Sequence, residues 1–536
     1  MKRVQIFNRI FRKLKFLKLK DGKNVRTKNL HSKFPYLKKR TYSFHGKEFI
    51  FLNKSLKFDD NFLNQSIKYE KLWRYNLYYF DFLNSKDSIK FNDQKKEIIN
   101  LFITKYQKNI KHEFYDPYPL SLRIVNLIKW VVNEKINDDR INNFIYFQTE
   151  ILKQKIEYHL LCNHYFSNLK ALSFSSIFFD QYKNNSFSKK VHEELDSQLD
   201  EQFFLDGGHF EGSPMYHSII VEDLLDIHNL YSSIEGDCSN IDDINSKLRN
   251  IIPLSIGWLK KMTHPNKEIS FFNDSSLGIS LSIDDINTYA ESLNIKDIQE
   301  EKYLEKNNVL LNGKESGYVV CKNQNFYIIF DTADIGPSYN PGHCHADSLS
   351  FELSSFGHKI FVNRGTSTYE NSEERNLIRS TISHNTVVID DRNSSDVWSS
   401  FRVGKRAKII DRDCKKQDQK IIMTGQHDGY SRFLNPVFHE RMISFDMDII
   451  EVYDQVRGSI DKSQSIFLLH PDIDVHRIDS QTLELTFFMR KLLLISENNV
   501  EINPAKYSPM FNEDLDTKRL LVNFKNNNKT TLKIIS

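Results

Sequence analysis

The chain is poor in the features that mark several protein classes. Only five cysteines occur in 536 residues, and none has the C-x-x-C spacing of a zinc knuckle or redox pair. An odd number of scattered cysteines does not indicate a disulfide framework and favours a reducing compartment. They are Cys162, Cys238, Cys321, Cys344 and Cys414.

Excess charge and long apolar runs are missing as well. The 74 basic and 70 acidic residues leave a formal net charge of +4, which is too small at this length to predict nucleic-acid binding. No segment approaches the roughly 20 apolar residues that span a bilayer, and the start of the chain lacks the apolar core and cleavage site of a secretory signal. We therefore expect a cytoplasmic protein or one at the cytoplasmic membrane face, with the periplasm as the remaining alternative.

The N-terminal segment carries a basic amphipathic pattern. Between Val4 and Lys20, apolar residues recur at helical spacing while lysines and arginines occupy much of the remaining circumference. A helix of this kind can lie on an anionic membrane surface. The alternative is that its apolar side packs on the protein or that the segment is a poorly ordered tail. We treat residues 1–58 as a basic extension and 4–20 as a candidate for peripheral membrane contact.

The region from residue 59 to residue 309 has the periodicity of helices. Apolar residues recur every three or four positions in the segments 151–160, 195–203, 219–231 and 244–262. Short loops with proline or glycine interrupt the pattern, as at 116–119 and 206–208. Since the chain is too long for one compact core of ordinary size, this region is predicted to form a helical domain.

Near residue 310 the apolar period changes from helical to alternating. Alternation is clear at 326–330, 349–353, 443–447 and 483–487, with turn residues between these segments. The pattern predicts a mainly antiparallel β domain over 310–536, and two packed sheets are the usual way to bury the apolar faces.

One segment, 206–217, combines glycines and a proline with titratable side chains. It includes His209, Glu211 and Tyr216, and its glycines and proline predict a loop that leads into a helix, where side chains can face a cleft. A tyrosine acts as a base only when positive charge or hydrogen bonds stabilise its phenolate, which nearby histidines can provide. Structural roles are equally open, with Ser213 as a helix N-cap and Tyr216 as an anchored aromatic.

A second group of polar residues contains three histidines. His343 and His345 lie two apart, so on a strand both would project from one face, with Cys344 on the other. Two imidazoles on one face are costly to bury without partners, and catalysis or metal binding often explains such a pair. His384 precedes the apolar run 387–389 and is placed to bring a third imidazole from an adjacent strand. A structural role for each histidine remains the alternative.

Several of these segments, read in order, resemble the heparinase II/III superfamily of polysaccharide lyases, which includes alginate lyases. The similarity extends from about Leu72 to the middle of the β domain, including 117–130 and 396–402. The segments that carry it are NH (163–164), DGGHFE (206–211), SPMYH (213–217), FND (272–274), PGHCHADSLSFE (341–352) and RSTISHNTVV (379–388).

The resemblance implies an N-terminal α/α toroid, a C-terminal antiparallel β-sandwich and β-elimination at a uronic acid. The substrate would be an acidic polysaccharide or oligosaccharide such as a glycosaminoglycan. This reaction needs a neutralised carboxylate, a base for the C5 proton and an acid for the departing O4. By matching positions, Tyr216 would act as acid and base, His343 as partner base or charge neutraliser, and Asn163 with His164 would bind the carboxylate. Substrate-binding positions would be His209, Glu211, Arg123, Arg379 and Tyr369.

The resemblance also implies one structural zinc held by His345, His384 and Asn363. Members of the superfamily have aspartate in a Val-Asp-x-Gly-Thr segment where this chain has Asn363. A neutral amide oxygen is a weaker zinc ligand than a carboxylate, so metal occupancy is the one implied feature that this sequence puts in question. If metal is absent, the neighbouring Arg364 is placed to supply positive charge.

Two other functions remain open. Hydrolysis requires two facing carboxyl groups, and the candidates are Asp206, Glu211, Glu222 and Asp274. A non-catalytic glycan-binding or polysaccharide-assembly protein would keep the fold, but loss of Tyr216 or His343 would be its mark, and both residues are present. We rank the lyase first, the binding protein second and the hydrolase third.

Overall fold

The fold is that of a computed structural model of the whole chain. It describes residues 2–11, 25–27, 43–45, 47–86, 92–183, 185–234, 239–295, 308–433 and 436–535. The N-terminal amphipathic pattern is therefore described only as far as Phe11, and its residues 12–20 lie outside the described residues.

Two compact units make up the chain, and each contains more than one segment. The first, called the helical unit here, comprises Met1–Phe203, Ile219–Pro253 and Asp284–Asp297. The second, called the sheet unit, comprises Phe204–Ser218, Leu254–Ile283 and Ile298–Ser536. The units therefore differ from the predicted regions 59–309 and 310–536, because two segments before residue 310 belong to the sheet unit.

Three of the predicted helical segments, 195–203, 219–231 and 244–262, match α8 (Ser186–Gln202), α9 (Pro214–Ser232) and α10 (Ser239–Lys261) to within one residue at each C-terminal end. Only the first half of the predicted segment 151–160 is helical, because α6 (Asp139–Lys155) ends at Lys155. Proline at the first position starts α5, and the side chain of Asp138 caps α6 by accepting from the backbone N–H groups of Arg140 and Ile141. The α-helices of the described residues are α1 Arg3–Phe11, α2 Phe62–Gln65, α3 Lys71–Tyr79, α4 Asn92–Tyr106, α5 Pro117–Asn133, α6 Asp139–Lys155, α7 Cys162–Phe178, α8 Ser186–Gln202, α9 Pro214–Ser232, α10 Ser239–Lys261, α11 Ile283–Ser292 and α12 Glu373–Ile378.

The helical unit also contains a small antiparallel sheet that the sequence pattern did not predict. Its strands are β1 Phe44–His45, β2 Glu48–Phe51 and β3 Lys54–Lys57. These strands are two to four residues long, which is too short for alternation to be recognised against the basic background of this segment.

The sheet unit contains a five-stranded sheet ordered β4-β5-β6-β7-β8, a four-stranded sheet ordered β20-β21-β16-β9, and an eight-stranded sheet ordered β12-β13-β14-β15-β22-β19-β18-β17; β10 and β11 form a hairpin. The strands are β4 Asn308–Asn312, β5 Tyr318–Lys322, β6 Phe326–Asp331, β7 Phe351–Ser355, β8 His358–Phe361, β9 Val387–Ile389, β10 Val397–Trp398, β11 Arg402–Val403, β12 Ile409–Gln417, β13 Lys420–His427, β14 Phe438–Phe445, β15 Ile449–Arg457, β16 Ser463–Leu468, β17 Asp474–Arg477, β18 Thr482–Phe487, β19 Arg490–Ser496, β20 Val500–Tyr507, β21 Leu515–Phe524 and β22 Asn527–Ile534.

One apolar core joins these three sheets. It contains Phe330 from β6, Met423 from β13 and Phe467 from β16, all of them buried. Along β18 buried residues alternate with half-exposed ones, as the pattern at 483–487 predicted, whereas every residue of β6 is buried. A helical N-terminal region followed by an antiparallel β domain is thereby confirmed.

The described helices were also compared with the requirements for crossing a bilayer. None of them combines sufficient length with sufficient apolar character for a transmembrane span.

Candidate active site

A tight loop positions Tyr216 at the first turn of α9. Gly207 has φ +89°, and a Cβ added there would lie 2.3 Å from the carbonyl carbon of Leu254, so only glycine fits. Ser213 then caps the helix by accepting from the Tyr216 N–H at 3.2 Å, and its hydroxyl donates to the backbone carbonyl of Asp274 at 2.6 Å. The predicted loop leading into a helix is present, and Ser213 is an N-cap.

The histidine segment is a loop between β6 and β7, so the expectation that His343 and His345 lie on a strand is wrong. Both imidazoles nevertheless share one partner. His343 Nδ1 lies 2.9 Å from Oδ2 of Asp274, and His345 Nε2 lies 2.9 Å from Oδ1 of the same carboxylate. The two histidines are thus brought together by a carboxylate rather than by strand alternation.

Arg375 fixes the carboxylate of Asp274 in turn. Its two terminal nitrogens bind Oδ1 at 2.5 Å and Oδ2 at 2.8 Å, and neither side chain has exposed surface. Burial alone would raise the pKa of Asp274, but the Arg375 charge and the hydrogen bonds from His343 and His345 hold that pKa well below its ordinary range. An ionised carboxylate only accepts hydrogen bonds, so His343 donates through Nδ1 and its Nε2 is left as the basic nitrogen.

Tyr216 and His343 are in direct contact. Their ring centroids lie 4.0 Å apart, and the Tyr216 hydroxyl is 3.2 Å from the hydroxyl of Tyr369. Phe401, in the turn of the β10–β11 hairpin, packs on both His343 and Tyr369 at 5.7 and 5.1 Å between centroids. Tyr216 and the His343 side chain retain 9% and 14% exposure, so the pair is largely buried and only a small part of each side chain is open to solvent.

The three predicted metal residues also lie together, deeper in the sheet unit. His345 Nδ1 is 3.3 Å from His384 Nε2, and His384 Nδ1 is 3.1 Å from Oδ1 of Asn363. Burial lowers the pKa of His345 to about 4. A carboxylate oxygen of Asp347, which was not predicted as a ligand, lies within 4.8 Å of ring nitrogens of both histidines. Two imidazoles and a carboxylate are a donor set that suits zinc.

Arg123 and Arg379, two of the predicted substrate-binding residues, bind backbone carbonyls of the protein itself. Both are fully buried. Arg123 donates to the backbone carbonyls of Tyr78 and Phe114, and Arg379 to those of Cys344 and Ser399. A buried guanidinium that binds backbone carbonyls stabilises the local fold, and the substrate-binding role of these two residues stays a prediction.

His209 and Glu211, the other predicted substrate residues on the loop before α9, are also buried. Burial lowers the pKa of His209 to about 4, so its imidazole is neutral near pH 7. Glu211 lines a cavity of about 140 Å³, which Asp331 and Asp347 line as well. Burial raises the pKa of Asp347 to about 6. The cavity therefore has an acidic lining.

Asn163 and His164 belong to the helical unit. They lie in the first turn of α7. Asn163 is buried, and His164 keeps 31% of its side chain exposed. The imidazole packs on Tyr118 at 4.6 Å between centroids, and its Nδ1 lies 3.1 Å from a carboxylate oxygen of Glu157.

Sequence reasoning missed the residues that hold the histidines. Asp274 was considered only as a hydrolytic carboxylate, and neither Arg375 nor Phe401 was singled out. The signal for Asp274 was a polar Asn-Asp pair directly after the apolar residues 271–272. Arg375 carries no such signal, since a charged residue in a short surface-like helix is ordinary and only the tertiary fold shows that it is buried.

Two models of known protein families together match nearly the whole chain. The family model described as Heparinase II/III N-terminus matches residues 41–294, and the model described as Heparinase II/III-like, C-terminal matches residues 305–535. No curated protein sequence matches the chain.

Solved structures show the same fold at low sequence identity. One, described as heparinase III, has a TM-score of 0.70 at 14% identity, with 87% of this chain and 77% of that chain covered. Another, heparan sulfate lyase HepC from Pedobacter heparinus, has a TM-score of 0.58 at 15% identity, with 91% and 81% covered. At these identities the likeness establishes the fold.

Proposed function

The chain belongs to the heparinase II/III family, and we propose that it is a polysaccharide lyase that cleaves a uronic-acid-containing glycan by β-elimination. The observation that carries this proposal is the contact between Tyr216 and His343. The hydrogen bond from His343 Nδ1 to Asp274 keeps the imidazole proton on Nδ1 and leaves Nε2 unprotonated. His343 is held by Asp274, and Asp274 is held by Arg375. This arrangement supplies a base beside a hydroxyl acid, as an elimination requires.

In the proposed reaction the C5–H and C4–O4 bonds break and a C4=C5 double bond forms. His343 Nε2 accepts the C5 proton, because its Nδ1 proton is held by Asp274. Tyr216 gives its hydroxyl proton to the departing O4, and the Tyr369 hydroxyl at 3.2 Å stabilises the resulting phenolate by a hydrogen bond. Transfer of the proton from His343 to Tyr216 restores the starting state.

The uronate carboxylate must be neutralised before C5 becomes acidic. The family resemblance assigns this role to Asn163 and His164, and the exposed part of the His164 imidazole is compatible with contact to an acidic sugar. Zinc held by His345 and His384, when bound, would supply positive charge and restrain His345. Since His345 and His343 share Asp274, that restraint would also orient His343.

The surroundings of the carboxylates favour lysis over hydrolysis. Both oxygens of Asp274 are bound by Arg375 and by histidines, and Asp206 accepts from the backbone and hydroxyl of Ser316 at 3.0 and 2.7 Å. A hydrolytic pair needs one carboxylic acid that can donate a proton. Asp274, whose pKa is held low, does not meet that need.

The test is incubation of the protein with a panel of uronic-acid polymers while ultraviolet absorbance of an unsaturated product is recorded. We expect wild-type activity on at least one polymer, and a loss of at least about 10³-fold in kcat for Tyr216→Phe and for His343→Ala. Tyr453→Phe, a half-buried tyrosine in β15, is the matched control and should keep full activity.

Each of the other outcomes identifies a different function. Cleavage that yields only saturated products would replace the lyase by a hydrolase. Binding of the polymer without cleavage, unchanged in Tyr216→Phe, would favour the glycan-binding or assembly protein. Full activity of both site variants would contradict the proposed roles of Tyr216 and His343.

We also propose that α1 makes peripheral contact with an anionic membrane at the cytoplasmic face. Gln5 is buried and donates to the backbone carbonyl of Leu160 at 3.3 Å, whereas Ile6, Phe7 and Ile10 are 45%, 59% and 59% exposed. The described part of the apolar side thus faces outward, beside basic residues such as Arg9, which is the arrangement that interfacial helices use.

Co-sedimentation with vesicles tests this contact. We expect the full chain to bind vesicles that contain anionic lipid and to bind neutral vesicles weakly, because lysines and arginines supply the attraction. Phe7→Glu with Ile10→Glu should reduce binding at least about tenfold. Unchanged binding of that double variant, or of a chain without residues 1–20, would contradict the proposal.

A further inference from the structure

We propose that Asp347, and not Asn363, provides the carboxylate of the metal site in this chain. The ligands are His345 Nδ1, His384 Nε2 and a carboxylate oxygen of Asp347, and the ion is a zinc-like divalent cation. Asn363 serves as an outer hydrogen-bond partner that orients His384. This proposal rests on the donor set of the sheet unit and does not require lyase activity.

The partners of His345 leave its Nδ1 without a proton. Its Nε2 lies 2.9 Å from Oδ1 of Asp274, and a carboxylate held ionised by Arg375 can only accept, so Nε2 carries the proton. A neutral imidazole has one N–H, and the lone pair is therefore on Nδ1. A carboxylate on the far nitrogen is also the usual outer partner of a histidine that binds zinc.

The same reasoning applies to His384. Its Nδ1 lies 3.1 Å from Oδ1 of Asn363, and an amide oxygen accepts, so Nδ1 carries the proton and Nε2 carries the lone pair. The asparagine oxygen is thus directed at the nitrogen that does not face His345. Asn363 occupies the position of an outer partner rather than that of a ligand.

Two lone pairs therefore face each other across 3.3 Å, between His345 Nδ1 and His384 Nε2. Without a cation this is a repulsive contact between two buried acceptors. With zinc bonds of about 2.0–2.1 Å, the edge of a tetrahedron is about 3.3–3.4 Å. The separation matches that edge, so the two nitrogens fit a shared metal ion.

Asp347 supplies the missing anionic ligand. Its Oδ2 accepts from the Asn273 N–H at 3.3 Å, whereas its Oδ1 is buried and has no hydrogen-bond partner among the described residues. One oxygen of this carboxylate lies within 4.8 Å of the histidine nitrogens. A buried carboxylate oxygen without a partner is costly, and a cation beside it removes that cost.

The proposed alternative source of positive charge, Arg364, is engaged elsewhere. Its guanidinium forms an ion pair with Glu374. A metal-free arrangement would instead require Asn363 to turn its amide, so that its buried Nδ2, which has no partner among the described residues, donates to His384. His384 would then donate to His345 and His345 to Asp274. That chain of hydrogen bonds still leaves Oδ1 of Asp347 unpaired.

Metal analysis of protein purified without chelator decides between the two arrangements. We expect about one zinc per wild-type chain, removable by chelator and restored by added Zn²⁺, with a melting temperature that rises as zinc is returned. Asp347→Asn should weaken zinc affinity by more than about 100-fold. Asn363→Ala, which removes an outer partner, should weaken it by about 10- to 100-fold and still reach one zinc at saturation.

Asp331→Asn is the matched control, because Asp331 is a second buried carboxylate that lines the same cavity as Asp347 but is not a proposed ligand. This variant should bind zinc like the wild type. Asp347→Ser provides a second test if Asp347→Asn does not fold, since serine places no amide donor in the site.

Two results would overturn the proposal. One is a wild-type chain that binds no zinc and whose melting temperature is unaffected by chelator and by Zn²⁺, which is the expectation for the metal-free arrangement. The other is a greater loss of zinc affinity in Asn363→Ala than in Asp347→Asn or Asp347→Ser. Neither measurement requires turnover, so failure here is distinguishable from failure of the lyase proposal.

Discussion

Asp274 accepts the Nδ1 proton of His343 at 2.9 Å, and this hydrogen bond determines which imidazole nitrogen is free to act as a base. The second oxygen of the same carboxylate accepts from His345, at an equal distance. One buried anion therefore orients both the proposed base and a proposed metal ligand.

Asp274→Asn should lower kcat by about 10²- to 10⁴-fold with a much smaller change in KM. The amide can donate to Nδ1 of His343, which moves the imidazole proton to Nε2 and removes the base in its working tautomer. Steady-state rates across pH are the measurement. If Asp274 acts by orienting His343, Asp274→Glu should have a higher kcat than Asp274→Asn, because it keeps an oxygen that accepts from Nδ1. A purely structural role of Asp274 does not predict this difference. Equal losses in both variants would reduce Asp274 to a structural residue.

Tyr369→Phe should lower kcat about tenfold and leave KM nearly unchanged. Its hydroxyl lies 3.2 Å from that of Tyr216 and would stabilise the phenolate that forms as O4 departs, so the loss falls on the reaction step. A rise in KM at constant kcat would instead support the role predicted from the sequence, that of a substrate-binding residue. The Tyr453→Phe control described above separates either effect from a general loss of a tyrosine hydroxyl.

The sequence was sufficient for the architecture because long periodic segments dominate it. The segment 244–262 lies almost entirely within α10, and the alternating segment 443–447 covers the end of β14. What periodicity misses is short. Strands β1 to β3 have two to four residues, and at that length helical and alternating patterns are indistinguishable.

For the candidate site, the sequence singled out Tyr216 and His343, which are proposed to react, but not the residues that hold them. Tyr216 and His343 stand in recognisable motifs and are in contact in the structure. Arg375 is 101 positions from Asp274, and no local pattern encodes a contact of that separation. Arg123 lies in a segment that carries the family resemblance, and no local pattern indicates that tertiary packing buries it completely.

Gly365→Ala should lower the free energy of unfolding by at least about 3 kcal/mol. Gly365 has φ +83°, and an added Cβ would lie 2.2 Å from the backbone oxygen of Ser508, so the alanine combines strain with a backbone clash. Gly357→Ala is the matched control, since it has φ +85° with nothing within 4 Å of the added atom and should cost about 1 kcal/mol. Urea unfolding of both variants measures the difference. Equal losses of stability in Gly365→Ala and Gly357→Ala would show that the backbone at Ser508 moves away from the added Cβ at little cost.

Acid should destabilise the protein through neutral buried histidines. Burial lowers the pKa of His192 to about 4, whereas the unfolded chain has a value near 6.5. Between these values the unfolded state binds the proton and the folded state does not, so this stabilising contribution is complete above pH 6.5 and is lost as the pH falls toward 4. His192→Gln should reduce the stability difference between pH 7 and pH 4.5 by about 2 kcal/mol, as measured by urea unfolding. An unchanged difference would mean that His192 is already protonated in the folded state.

The last prediction concerns a cluster of buried charged side chains in the helical unit. Lys170 contacts Asp223 and Asp226, each at 2.5 Å, and Lys129 also contacts Asp226. Burial by itself lowers the pKa of Lys170, but the two carboxylates outweigh it and raise that pKa, so the lysine is charged. Lys170→Met should cost about 3–5 kcal/mol, because it leaves Asp223 as a buried charge without its partner.

Lys247→Met is the control for the loss of a lysine charge in the same unit. Lys247 pairs with Asp196 and Asp200 at 2.6 and 2.9 Å, but its side chain is 28% exposed and those of its partners 42% and 68%. Solvent screens such pairs, so its loss should cost at most about 1 kcal/mol. The double variant Lys170→Met with Asp223→Leu should recover part of the stability that Lys170→Met loses, because it removes the unpaired carboxylate as well. If the double variant is less stable than Lys170→Met, the cost arises from packing around the lysine rather than from the buried charge.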